Sequence, residues 1–143
     1  MSNPHATASN CPFIHRKLDH VVLRCKSVKT MVTWYIDVLG AAPEWLDRFD
    51  GTFSHIRVGD SLIDLISYDC AVAFAKGTPA TDASALDHIA LRCDDFELDD
   101  AKAWLAKHDV PILNSGTRYG ADGNGFSIYV NDPEGNVVEL KCG

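Results

Sequence analysis

An eight-residue segment, LDHVVLRC at 18–25, recurs as LDHIALRC at 86–93, with six of eight positions identical at an offset of 68 residues. A period that long, occurring only twice, does not fit a stacked solenoid and points to duplication of a half-domain. Each copy alternates in polarity and is rich in β-branched residues, the pattern of a half-buried strand. The two-residue period sets His20, Val22 and Arg24 on one face of the first copy and His88, Ala90 and Arg92 on the matching face of the second. Any fold for this chain must carry the same strand twice, with a histidine at the same place.

A helix is expected after each strand. Ser27 is a candidate N-cap, Val28, Met31, Val32, Tyr35, Val38 and Leu39 follow at helical spacing, and Gly40 offers a stop. In the second half Asp94 and Glu97 form a pair like a capping box, Leu98, Ala101, Trp104 and Leu105 make the apolar stripe, and Pro111 lies beyond the end. Strand-like runs follow at Glu44–Asp47, Phe53–Val58 and Ser61–Ser67, and again at Ile112–Thr117, Phe126–Asn131 and Asn136–Lys141. Asp50-Gly51, Gly59-Asp60 and Asp132-Pro133-Glu134-Gly135 punctuate them as turns. The glycine-rich RYGADGNGF at 118–126 is either a mobile flap or an ordinary hairpin loop. Each half therefore reads β-α-β-β-β, an α+β arrangement.

At 143 residues one core, and one domain over 17–143, is expected, preceded by a polar and flexible tail at 1–16. Module one covers 17–68, a linker rich in Ala, Thr, Gly and Pro covers 69–85, and module two covers 86–143. The 13 basic residues face 20 acidic ones, a net charge of −7 with no basic run, which disfavours nucleic acid and anionic membranes as partners. No stretch approaches the roughly 20 apolar residues of a membrane span. Five cysteines, without CxxC spacing, suit free thiols in a reducing compartment, so the cytoplasm is the expected location.

The last strand of each half carries an acid inside an apolar run, Asp64 in SLIDLIS and Glu139 in NVVELK. A carboxylate among Ile, Leu and Val is costly to bury unless paired, protonated or bound to a cation. His20, Asp64, His88 and Glu139 thus stand at matching places in matching halves. Two imidazoles and two carboxylates in one cavity suit a divalent cation such as Zn, Ni, Fe, Mn, Co or Mg, one per chain, and in a six-coordinate shell leave two positions for a chelating substrate. Singly, such residues are more often partly buried strand histidines and solvated acids; the duplication is what favours a metal. Arg24 and Arg92 share faces with the histidines and are candidates for holding an anionic part of a small-molecule substrate. His55, in FSHIRV, is either a cavity-lining residue or an ordinary strand residue, while His5, His15 and His108 read as surface positions.

These motifs, with WYIDVLG at 34–40 and YVNDPEGNVVELK at 129–141, resemble the vicinal oxygen chelate superfamily, which includes glyoxalase I, extradiol dioxygenases and the fosfomycin and bleomycin resistance proteins. The resemblance spans residues 17–142. It implies paired βαβββ modules forming an eight-stranded, incompletely closed barrel around a metal, with ligand roles for His20, His88 and Glu139. At the place of Asp64 the family more often has glutamate, glutamine or histidine, so this side chain is one methylene shorter. A glyoxalase-I-like lyase or isomerase, using a metal-stabilised enediolate with Glu139 as the catalytic base, fits the full set of four. An extradiol-dioxygenase-like Fe(II) enzyme fits His20, His88 and Glu139 alone, and a metal-free binding protein needs none of them. The resemblance also implies a homodimer, as do the open strand edges of two modules.

Overall fold

The structure, a computed structural model, describes residues 14–79 and 86–142. Most of the predicted tail, with His5 and Cys11, and residues 80–85 of the predicted linker lie outside the described residues. Module one runs β1 (His20–Cys25), α1 (Val28–Asp37), β2 (Ala42–Asp47), one irregular turn α2 (Arg48–Gly51), β3 (Phe53–Val58) and β4 (Ser61–Ser67). Module two runs β5 (His88–Cys93), α3 (Leu98–Lys107), β6 (Asn114–Gly120), β7 (Gly123–Asn131) and β8 (Val137–Cys142). The duplicated β-α-β-β-β reading is therefore the observed one.

Each module forms a four-stranded sheet, in the orders β1-β4-β3-β2 and β5-β8-β7-β6. The repeated strand pairs in parallel with the last strand of its own module, and the remaining pairings are antiparallel. Neither sheet is closed, and among the described residues no strand of one pairs with a strand of the other. The eight strands of the expected open barrel are thus present as two open sheets.

Ser27 caps α1 as expected, its hydroxyl accepting from the Thr30 amide. Gly40, at φ 73°, lets the chain reverse so that the Gly40 and Ala41 amides satisfy the carbonyls of Ile36 and Tyr35. The expected capping box of α3 does not form. That helix starts at Leu98 behind Glu97, which makes no side-chain cap bond, so three residues separate Asp94 from the first turn. The glycine-rich segment is a hairpin: β6 and β7 stay paired out to Gly120 opposite Gly123, leaving two residues to turn.

The core packs α1 through Val28, Met31, Val32 and Tyr35 against Leu23, Ile56, Ile63 and Leu65, and continues into Leu105, Ile128, Val130 and Val138 of module two. A fully buried side chain of this size contributes about 1.5–3 kcal/mol. The modules are joined by polar contacts as well. The Trp104 indole donates to the Val38 carbonyl at 2.9 Å, and Glu134 accepts the Lys26 and Ser27 amides at the start of α1 at 2.6 and 2.9 Å. The described part of the linker is ordered enough to bury Cys70 and Ala73 against Ile66, with Phe53 beside them. All four described cysteines are free, and no helix among the described residues is long and apolar enough to cross a membrane.

Candidate functional site

The repeated strand and its parallel neighbour put one imidazole beside one carboxylate in each module. Asp64 stands opposite Val22, one diagonal step from His20, and Glu139 stands opposite Ala90, one diagonal step from His88. The His20 Nε2 lies 3.9 Å from Asp64 Oδ2, and the His88 Nε2 lies 3.2 Å from Glu139 Oε2. Both carboxylates are buried, at 4% and 5% exposure, while the imidazoles are about half-exposed. The four residues singled out by the repeat therefore come together as two pairs. Among the described residues no group of three or more potential ligands is arranged to hold a metal within the single chain.

Each histidine is oriented from behind. Nδ1 of His20 lies 2.7 Å from Asp19 and Nδ1 of His88 lies 2.7 Å from Asp87. With the ring hydrogen donated to those carboxylates, the Nε2 lone pair faces Asp64 or Glu139. An outer carboxylate that fixes the tautomer is the usual support of a metal-binding imidazole, so this donor set fits a divalent cation. The same contacts raise both imidazoles above the ordinary value of about 6.5: hydrogen bonding to Asp19 and to Asp87 is the main cause, partly offset by desolvation.

A raised folded value makes imidazolium formation contribute stability that is complete below about pH 6.5 and is lost as pH rises through the folded value. In metal-free protein the two rings should titrate above 6.5 by NMR, and Asp19→Asn and Asp87→Asn should lower the midpoint of the adjacent ring. Midpoints unmoved by those substitutions would show that the aspartates do not orient the rings.

Behind each carboxylate stands a second ring on the next strand. His55 is opposite Asp64 and donates Nδ1–H to Oδ1 at 2.6 Å. Tyr129 is opposite Glu139 and hydrogen-bonds to it, while burial and that carboxylate raise its hydroxyl above the usual range. Each ring in turn meets a guanidinium: Arg48 donates to His55 Nε2 at 2.8 Å, and Arg118 donates to the Tyr129 hydroxyl at 3.2 Å. A guanidinium always donates, so His55 carries its hydrogen on Nδ1. Imidazole, carboxylate, ring and guanidinium thus occur in the same succession in both modules.

Arg24 donates to the Gly77 carbonyl and lies over the Tyr68 ring. Arg92 is paired with Asp122 at 2.6 Å. Both share the open face of their strand with the histidine, and neither touches a carboxylate of the two pairs. Two cavities, of about 120 and 490 Å³, lie elsewhere, beside Trp104 and beside Glu134, and none of the four candidates lines them.

The sequence model of the glyoxalase/bleomycin resistance protein/dioxygenase superfamily matches residues 17–140. Among solved structures the chain is similar to a virulence protein of Salmonella typhimurium, with TM-score 0.67 and 23% identity over 91% of this chain and 98% of that one. It is also similar to lactoylglutathione lyase of Agrobacterium tumefaciens, at TM-score 0.65 and 20% identity over 89% and 93% of the two chains. The fosfomycin resistance protein FosX of Mesorhizobium loti gives TM-score 0.62 and 20% identity over 91% and 94%. At these identities the structural likenesses establish the fold, and the sequence match establishes the kinship: the chain belongs to the glyoxalase/bleomycin resistance protein/dioxygenase superfamily.

Proposed function

We propose that the chain is a metal-dependent lyase or isomerase acting on a small substrate with adjacent carbonyl and hydroxyl oxygens. The observation that carries this reading is the duplicated pair of an oriented imidazole and a buried carboxylate. His20, Asp64, His88 and Glu139 would hold the cation, drawn from Zn, Ni, Fe, Mn, Co or Mg. When bound, such a cation stabilises negative charge developing on substrate oxygens. Glu139 is the proton-transfer group, removing the hydrogen alpha to the carbonyl, and the Tyr129 hydroxyl, which donates to it, keeps its carboxylate aimed.

The pairs lie on two open sheet faces, so the reading includes a homodimer in which the module-one face of one copy meets the module-two face of the other. Half-exposed Val22 and Leu113, and Tyr119 at 85% exposure, are the apolar surface that such an arrangement covers. The four cysteines among the described residues are free, which supports the reducing cytoplasm as the proposed location.

A second reading has one observation in its favour. Asp64 Oδ1 is already taken by His55, and its other oxygen is farther from His20 than Glu139 is from His88. If Asp64 stays outside the coordination shell, three ligands remain, and an extradiol-type Fe(II) oxygenase becomes the alternative.

Untagged protein should contain about one divalent ion per chain and scatter light as a dimer at tens of micromolar. A monomer with a full metal complement would overturn assembly across copies. A dimer that takes up no cation would overturn the metal-dependent reading.

A further inference from the structure

We propose that Arg48 and the aromatic rings around it form an anchoring site for the carboxylate of a flat, apolar organic acid. The Arg48 guanidinium lies over the Trp45 ring at 3.7 Å from its centroid, with the Phe49 and Phe53 rings at 5.1 and 5.6 Å. Trp45 is 59% and Phe49 46% exposed, an apolar wall that the described residues leave uncovered. Stacking occupies a face of the guanidinium and leaves its in-plane N–H groups, which are the ones that recognise a carboxylate. A single hydrogen bond, to His55 Nε2, uses one of those groups.

The charge on Arg48 has no carboxylate partner among the described residues, although Asp47 and Asp50 stand beside it in sequence. Asp47, Phe49 and Asp50 all adopt left-handed backbone, at φ 57°, 49° and 56°, an arrangement that non-glycine residues rarely hold three times in four positions. Elsewhere Arg57 is held by both oxygens of Glu44, at 2.9 and 3.1 Å, and Arg92 by Asp122. Arg24 and Arg118 also lack a carboxylate, but they donate to carbonyl or hydroxyl oxygens, whereas Arg48 donates to an imidazole nitrogen and keeps its other N–H groups for an external carboxylate.

The site faces the candidate centre across one imidazole ring, since His55 bridges Arg48 and Asp64. An acid held by Arg48 would lay its apolar body along the exposed Trp45 and Phe49 rings, with His55 between its carboxylate and Asp64. The inference deepens the function proposed above by naming the substrate class, and rests on that proposal only for what happens beyond His55.

The test uses chelator-treated, metal-free protein, so that failure here and failure of the metal reading are separate results. Benzoate and benzamide have the same shape and differ in charge. Titration calorimetry should show benzoate binding about tenfold more tightly than benzamide, the size of a net hydrogen bond to a charged group. Arg48→Met should erase that difference, Arg48→Lys should restore part of it, and Arg57→Met should leave it intact. Trp45→Leu should weaken both ligands. Equal binding of the two ligands by the wild type, or a preference that survives Arg48→Met, overturns the proposal. So does an Arg48→Met variant whose only defect is weaker self-association, which would give Arg48 a carboxylate of a second copy as its partner.

Discussion

Replacing Asp132 by alanine is expected to cost about 2–4 kcal/mol, a large share of the 5–15 kcal/mol that holds an ordinary domain together. The side chain is 4% exposed and fully used. Its Oδ1 accepts the amides of Glu134 and Asn136, both at 2.9 Å, and its Oδ2 accepts the Asn136 amide group and the Tyr35 hydroxyl, both at 2.8 Å. Alanine would leave a completely buried tyrosine hydroxyl without its acceptor and release the turn before β8. That hydroxyl is far above its usual ionisation range, through burial first and the Asp132 charge second, so it stays a donor at any working pH.

Tyr35→Phe removes one bond and leaves the carboxylate its other donors, so about 1–2 kcal/mol is expected for it. Urea unfolding of the three proteins measures both. A loss under 1 kcal/mol for Asp132→Ala would mean that the turn is held by something else. Because the same turn brings Glu134 to the start of α1, the variant should also loosen one module from the other.

Much of this fold was legible because the chain states it twice. The repeated strand, the amphipathic α1 and the turn at 132–135 follow from period, capping and turn chemistry, and the structure places them within a few residues of expectation. The candidate site was legible only in part. Asp19 and Asp87 sit next to a strand histidine, where alternation assigns neighbours to opposite faces. They precede the first residue of β1 and β5, however, and alternation does not bind them there. Tyr129 was within reach, since the hairpin through 132–135 sets it opposite Glu139. Arg48 was not, because Asp50-Gly51 announces a turn and gives no sign of the left-handed backbone on either side of the arginine. Nor did the repeat reveal that its four residues would close up as two pairs: a matching position in each half says nothing about how the halves face each other.

Glu139→Ala is expected to lower divalent-metal affinity by about 100-fold or more and to abolish turnover, because on the proposed reading it deletes a charged donor and the proton-transfer group together. Outer residues of metal sites already cost 10–100-fold, and Glu139 stands nearer, 3.2 Å from the His88 Nε2. Asp64→Ala separates the two enzymatic readings. As a ligand, Asp64 should be worth at least tenfold in affinity, and its loss should open a coordination position visible by spectroscopy in the Co(II)- or Mn(II)-loaded protein. His55→Ala, which frees Asp64 Oδ1 without touching His20, should then change affinity far less than Asp64→Ala does. If Asp64→Ala binds Fe(II) as tightly as the wild type, and the wild type opens catechol rings, the oxygenase reading replaces the lyase. A loss of affinity in Asp64→Ala, with proton exchange alpha to a carbonyl in the wild type and none in Glu139→Ala, supports the lyase. The asymmetry expected between the two carboxylates has a plain origin: the Tyr129 hydroxyl holds Glu139 with one oxygen 3.2 Å from His88 Nε2, whereas His55 holds one oxygen of Asp64 and the other lies 3.9 Å from His20 Nε2.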